Sequence, residues 1–225
     1  MIDDTRELIE KLAESATATR EALAALLACD DSAAKDLVAA ADQVRAQAVG
    51  DEVHLRGLIE FSNHCRRNCL YCGLRRANRN LNRYRMVPDD IVACAIDAAD
   101  LGYGTVVLQS GEDMWYAAPI LADVVGAIKA ARDIAVTLSI GERPEDDYRL
   151  LRHAGADRFL LRMEASSPTR YAQFHPDSDW EERQKCLRAA RTARFQVGSG
   201  TLIGLPGHGV RTLAEDLLYL SLIHI

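Results

Sequence analysis

The sequence predicts an α/β protein: N-terminal helices followed by about five β/α units of a partial TIM-type (β/α) barrel. Three observations predict it. Before residue 50 the apolar residues recur at three- and four-residue spacing, and after it short β-type runs alternate with helical ones. Alternation of that regularity means parallel strands joined by crossovers. Polar residues also gather where the expected strands end: Glu60 and Ser62, Gln109 and Ser110, Thr137 and Ser139, Arg162 and Glu164, Ser199 and Thr201. In a barrel those ends converge on one mouth, whereas in an open doubly wound sheet they would spread along an edge.

Residues 1–50 form the helical segment, with "TRELIEKLA", "TREALAALLA" and "SAAKDLVAAADQVRAQAV" placing Leu, Ala and Val on one face and Ser or Thr at the caps. Residues 51–220 form the barrel part. Its strands are expected in "HLRGLIEFS", "GTVVLQS", "IAVTLSIG", "DRFLLRME" and "QVGSGTLIGL". Helices are expected near 88–101, 117–132, 144–153 and 180–193, and from about 211. Five units do not close an eight-fold barrel, so the chain is expected to be C-terminally truncated, with an open sheet edge prone to association. Ser221 to Ile225, at the end of "LSLIHI", are expected to be a non-native tail read in frame from a sequencing adapter.

A hydrophobic fraction of 48% with 27% charged residues suits a water-soluble globular protein, and no run of residues is long and apolar enough for a bilayer. The net charge of -6 argues against nucleic acid as the main partner, since such binding leans on clustered Lys and Arg. The acidic, amphipathic start lacks the basic n-region and apolar run of a secretory signal, so the expected location is cytoplasmic, with no membrane partner. One stretch runs against the overall charge: Arg75, Arg76, Arg79, Arg83 and Arg85, either an anion site or a solvated loop.

Three of the six cysteines, Cys65, Cys69 and Cys72, fall within eight residues as C-x3-C-x2-C, after the first strand. Cys29, Cys94 and Cys186 stand singly on Ala-rich helical stretches, where a free cysteine is expected as a small buried hydrophobe. In a reducing compartment the clustered cysteines read as ligands for a soft metal. A structural zinc would need a fourth ligand, and adjacent His64 reaches it poorly. An iron-sulfur cluster on three cysteines leaves one iron open and reactive. A non-catalytic zinc-binding scaffold remains the reading from another class. "GSGTLIGLPGHG" does not sustain a dinucleotide fingerprint, because Ile203 stands where a small residue is needed and the stretch falls on the fifth strand.

C-x3-C-x2-C with an aromatic, Tyr71, just before the last cysteine resembles the signature of the radical S-adenosylmethionine (SAM) superfamily. The resemblance implies that Cys65, Cys69 and Cys72 hold a 4Fe-4S cluster whose open iron is chelated by SAM. It further implies an electron donor for the cluster, reductive cleavage of SAM, and release of a 5'-deoxyadenosyl radical. By the same resemblance Tyr71 packs near the adenine, and "SGED" brings Ser110, Gly111 and Glu112 to the cofactor's amino group. Arg162 and Arg183 would contact its carboxylate or an anionic substrate, Glu164 its polar atoms, and Ser139 would add a hydroxyl. Gly200 would let the fifth strand run close beside the adenine, and Gln109 and Thr137 would line the substrate side. More specific stretches, "IEFSNHCRRNCLYCGLRRAN", "RYRM", "VVLQSGED", "VTLSIGE", "GADRFLLRMEAS" and "GTLIGLPG", resemble the HydE family of FeFe-hydrogenase maturases. That resemblance implies a small-molecule organometallic substrate and the other hydrogenase maturases as partners. Biotin synthase and methylornithine synthase types are the alternative within the superfamily.

Overall fold

The computed structural model describes residues 2–14 and 17–223. In chain order the elements are α1 (Ile2–Glu14), α2 (Arg20–Leu27), α3 (Asp31–Val49), β1 (Gly57–Ser62), α4 (Pro88–Asp100), β2 (Thr105–Ser110), α5 (Ala118–Ala131), β3 (Ala135–Ser139), α6 (Glu145–His153), β4 (Arg158–Leu160), α7 (Pro168–Phe174), α8 (Trp180–Thr192), β5 (Gln196–Gly198) and α9 (Val210–Ile223). They fall into two compact units, one of Met1–Val53 with Leu202–Leu222, the other spanning His54–Thr201. No helix among the described residues is long and apolar enough to cross a membrane. Ser221 to Ile223 continue α9, and the remainder of the expected foreign tail, His224 and Ile225, lies outside the described residues.

The first unit is helical. Thr19 accepts the Ala22 N–H at 3.1 Å and opens α2, and Asp30 accepts from Ser32 and Ala33 to open α3, each filling donors that a helix start leaves unpaired. Arg20 on α2 reaches Glu215 on α9 at 3.1 Å.

The second unit is a five-stranded, all-parallel sheet in the order β1-β2-β3-β4-β5. Each strand lies beside its predecessor, so the order never reverses as it would at the switch point of a doubly wound sheet. The partial-barrel expectation is met. Strand parity decides which face is covered. Ile59, Phe61, Val106, Leu108, Val136, Leu138, Phe159 and Val197 form the convex, buried face, and Ile91, Leu121, Val125, Ile128 and Leu151 of the crossover helices pack into the same core. Full burial of such a side chain is worth roughly 1.5–3 kcal/mol. The intervening residues form the concave face in register: Leu58, Val107, Thr137, Arg158 and Gln196 in one row, with Glu60, Gln109 and Ser139 in the next toward the strand C-termini.

Three expectations need correction. The fourth and fifth strands are only three residues each, Arg158–Leu160 and Gln196–Gly198, because the chain turns aside into the site, leaving one isolated parallel bridge, Glu164 to Thr201. Helix α7 was not expected: seven residues show too little periodicity, and its start is marked only by Pro168 in the first turn. Cys94 is exposed rather than buried, and Cys29 and Cys186 are half-buried.

Candidate active site

The loop from Asn63 to Val87, which carries the three cysteines, is shaped mainly by hydrogen bonds to its own backbone. Asn63 donates to the Asn82 carbonyl at 2.8 Å and accepts the Tyr84 N–H at 2.8 Å, so one side chain joins the loop's two ends. The Arg83 guanidinium donates to the carbonyls of Asn63, Leu74, Arg75 and Asn78. Arg85 pairs with Asp113 at 2.7 and 3.0 Å and lies over the Trp115 ring. The arginine-rich stretch is therefore in part an internal clasp and not simply a solvated face.

The loop also docks on the link between α7 and α8. Leu70 N–H donates to the Phe174 carbonyl at 2.9 Å, Asn68 N–H to Asp177 Oδ1 at 3.0 Å, and Arg67 Nη1 to the Asp177 carbonyl at 2.7 Å. Two glycines permit the packing against β2 and β3. A Cβ on Gly111 would stand 2.1 Å from the His64 carbonyl oxygen, and a Cβ on Gly141, whose φ is +76°, would stand 2.5 Å from Glu112 Cγ.

Held this way, Cys65, Cys69 and Cys72 line a cavity of about 500 Å³ together with Tyr71, Gln109, Ser110, Gly111, Glu112, Ser139, Arg162, Glu164 and Arg183. Thr137 is not among the lining residues; it is buried one row deeper, and its hydroxyl has no hydrogen-bond partner. Gly200 reaches the site only through Arg162, whose guanidinium lies 3.6 Å from where its Cβ would be.

Cys65 Sγ accepts the N–H groups of Arg67 and Glu112 at 3.4 and 3.3 Å. Burial pushes the Cys65 thiol up despite those donors, and pushes Cys69 up to about 11 despite Arg183 nearby. The Cys65 and Cys69 thiols thus carry protons at neutral pH, and metal ligation would release them. Among the described residues no three His, Cys, Asp or Glu lie close enough to hold one metal ion. A cluster makes a different demand, since each thiolate takes a separate iron.

Glu112 is not a free acceptor. Its Oε1 takes Arg66 Nε and Arg67 Nε, both at 2.6 Å, and its Oε2 takes the Glu142 N–H at 3.0 Å. Glu142 in turn binds Arg67 and, at 2.8 Å, Arg183 Nη1. Burial opposes the charge of Arg183, but Tyr171 and Glu142 outweigh it and its pKa is raised. Arg162 Nε binds Glu164 Oε1 at 3.0 Å, while Glu164 Oε2 is buried with no partner. Burial raises the Glu164 carboxyl despite Arg162, and its backbone sits at φ +63°, a conformation non-glycine residues seldom adopt. A strained residue holding an unpaired carboxylate oxygen beside the thiols marks the place for a cationic group.

Sequence reasoning did not single out Arg67, Glu142, Asp113 or His175, and it named Arg83 only within the arginine-rich stretch. A signal for Glu142 was present: β2 and β3 are both followed by Gly-Glu, as Gly111-Glu112 and Gly141-Glu142.

The Arg85–Asp113 pair yields a pH prediction. Burial raises the Asp113 carboxyl, but hydrogen bonds from Arg85, Ser62 and the Trp115 N–H overcome this and hold it below the ordinary range. A depressed folded pKa contributes stability that is present above the unfolded value and lost as pH falls through the folded one. Asp113→Asn should therefore lower the denaturation midpoint at neutral pH and flatten its fall in acid, measured by chemical denaturation at both pH values.

The sequence model of the Radical SAM superfamily matches residues 59–220. The chain is 47% identical over 217 residues to the [FeFe] hydrogenase maturase subunit HydE of Thermotoga maritima, which covers 96% of this chain and 62% of that protein. It is 25% identical to 3-methylornithine synthase of Methanosarcina barkeri over 91% of this chain and 59% of that protein. The chain thus spans about three fifths of the length of these curated relatives. Its fold matches the crystal structure of methylornithine synthase (PylB) with a TM-score of 0.88 at 24% identity, over 96% of this chain and 64% of that one. It matches the FeFe-hydrogenase maturase HydG with a TM-score of 0.85 at 23% identity, over 97% of this chain and 50% of that one.

Proposed function

The chain belongs to the Radical SAM superfamily, and from that premise we propose that it is the cluster- and SAM-binding part of a HydE-like enzyme of FeFe-hydrogenase maturation. The observation that carries the proposal is the meeting of three thiols from one loop with Arg183 and the unpaired Glu164 oxygen around one cavity. These residues fit the group: the thiols suit a soft metal cluster, the guanidinium a carboxylate, and the orphan oxygen an ammonium. Cys65, Cys69 and Cys72 would hold the 4Fe-4S cluster. When bound, cluster and SAM together supply reductive cleavage to a 5'-deoxyadenosyl radical.

The chain's own residues bind and orient. Arg183, fixed by Glu142 and by the Arg162 carbonyl at 2.9 Å, presents its charge to the cavity. Glu164 offers Oε2, Tyr71 and Gly111 wall the cavity beside the thiols, and the Gln109–Ser139 pair, 3.3 Å apart, faces the substrate side. In this reading the substrate is a small organometallic compound, the partners are an electron donor and the other maturases, and free thiols suit the cytoplasm.

Anaerobic reconstitution tests the proposal. The expected product is brown, contains iron and inorganic sulfide in equal amounts, and when reduced shows an EPR signal that changes on adding SAM. A colourless protein binding zinc in place of iron would overturn it.

A further inference from the structure

Arg143, in the turn between β3 and α6, is 4% exposed, yet among the described residues no carboxylate pairs with it. Its Nη1 donates to the Tyr116 carbonyl at 2.9 Å and its Nη2 to the Asp113 carbonyl at 3.2 Å, while Nε is buried without an acceptor. An arginine keeps its charge even where burial opposes it, as here. Two neutral carbonyls do not balance a buried cation, and buried charges are ordinarily paired.

Arg143 lines a second cavity, of about 490 Å³, which shares Arg67 with the cysteine-lined one. The acids on its wall are already engaged. Glu142 binds Arg67 and Arg183, Asp177 accepts the Asn68 N–H and pairs with Arg76 at 3.3 Å, Asp179 opens α8 by accepting the Glu182 N–H at 2.9 Å, and Glu182 pairs with Lys185. Arg66 is engaged only through Nε, on Glu112, and its side chain is 46% exposed, so its Nη groups remain available. The charge left to spare on this wall is therefore positive.

We propose that this second cavity binds a small monocarboxylate, its charge against Arg143 and Arg66 and its short hydrocarbon body against Met114, Pro144 and Pro176. A planar guanidinium suits a carboxylate, and hydrogen bonds between charged groups are the strong ones. One negative charge fits better than two, because Asp177, Asp179 and Glu182 also line the cavity and repel a dianion more. No cysteine of the C-x3-C-x2-C motif takes part, so the inference does not rest on the cluster reading.

The test is the chemical-denaturation midpoint of the full chain, reconstituted as above, against rising butyrate, inorganic phosphate or butylammonium, with ionic strength held constant by sodium chloride. A ligand that binds only the folded chain raises that midpoint. Butyrate should do so, phosphate should do so less, and butylammonium not at all. Arg143→Gln should raise the butyrate concentration needed by about tenfold or more, the scale of one lost bond to a charged group. Arg66→Gln, at a half-exposed position and with Arg67 still on Glu112, should raise it about two- to fivefold, and it decides the matter if Arg143→Gln does not fold. A midpoint indifferent to butyrate would overturn the proposal, as would an equal or larger response to phosphate or butylammonium. So would a butyrate response unchanged in Arg143→Gln, or in Arg66→Gln where that variant decides, since the carboxylate would then sit elsewhere. A chain that takes up no iron and sulfide refutes the cluster reading and leaves this test in place.

Discussion

Gly111→Ala is expected to lower iron uptake by about 10–100-fold, the range seen when groups supporting metal ligands are lost. The added methyl carbon would stand 2.1 Å from the His64 carbonyl oxygen, 2.9 Å from its carbon and 2.8 Å from Cys65 Cβ. Two of these are backbone atoms, so no rotamer change relieves the clash. The start of the cysteine loop must move away from β2. That movement separates Cys65 Sγ from the Glu112 N–H that now lies 3.3 Å from it. Overpacking of this kind also costs roughly 1–3 kcal/mol in stability. Gly126→Ala is the control: on α5 nothing lies within 4 Å of the added carbon, and alanine is the better helix former, so uptake should be unchanged and stability equal or higher. Iron and sulfide assays after identical reconstitution, with a denaturation curve for each variant, decide the matter. Wild-type iron content in Gly111→Ala would show that the loop has another place to go.

What the sequence made legible follows from which patterns are local. The first three strands are short β-type runs between well-marked helices, so their positions and the convergence of their polar ends could be read directly. Pro88 near the start of α4 shows the same local legibility, since the proline suits the first helical turn and holds Val87 extended before it. The fourth and fifth strands were drawn too long because "LLRME" and "SGTLIGL" retain β-type composition after the chain has left the sheet. That departure is set by tertiary contacts, such as Arg162 Nη2 reaching the Thr201 carbonyl at 2.8 Å. The cysteines were legible because their chemistry and their spacing coincide. Glu112 was legible as a site residue but not in its engagement, since its partners Arg66 and Arg67 are 46 and 45 residues away in sequence. His175 left no trace, because its hydrogen bond with Tyr71 depends on a seven-residue helix that ends just before it.

Glu142→Ala is expected to destabilise the chain by about 3–5 kcal/mol, the cost of leaving buried charges without their partner. The Glu142 side chain is 6% exposed, and the two guanidiniums it joins, those of Arg67 and Arg183, are 18% and 12% exposed. Removing the carboxylate leaves Arg183 without its ion-pair partner and Arg67 with Glu112 alone, in a poorly solvated place where burial already keeps the Cys65 and Cys69 thiols protonated. Glu142→Gln keeps the shape and one acceptor and should cost less. Ser178→Ala, which removes a 3.3 Å hydrogen bond to Glu142 Oε1 and a 2.8 Å one with the Tyr171 hydroxyl but no charge, should cost about 1–2 kcal/mol. The ordering of the three separates charge pairing from packing, because the smallest change in volume and the smallest change in charge fall on different variants. Pairing makes a further demand: Glu142→Ala with Arg183→Ala should be more stable than the sum of the single losses, since the second substitution removes a charge the first left unpaired. Strict additivity in chemical denaturation would mean that water already solvates Arg183. Its presentation to the cavity would then depend on the Arg162 carbonyl alone, and Glu142→Ala would leave SAM affinity unchanged.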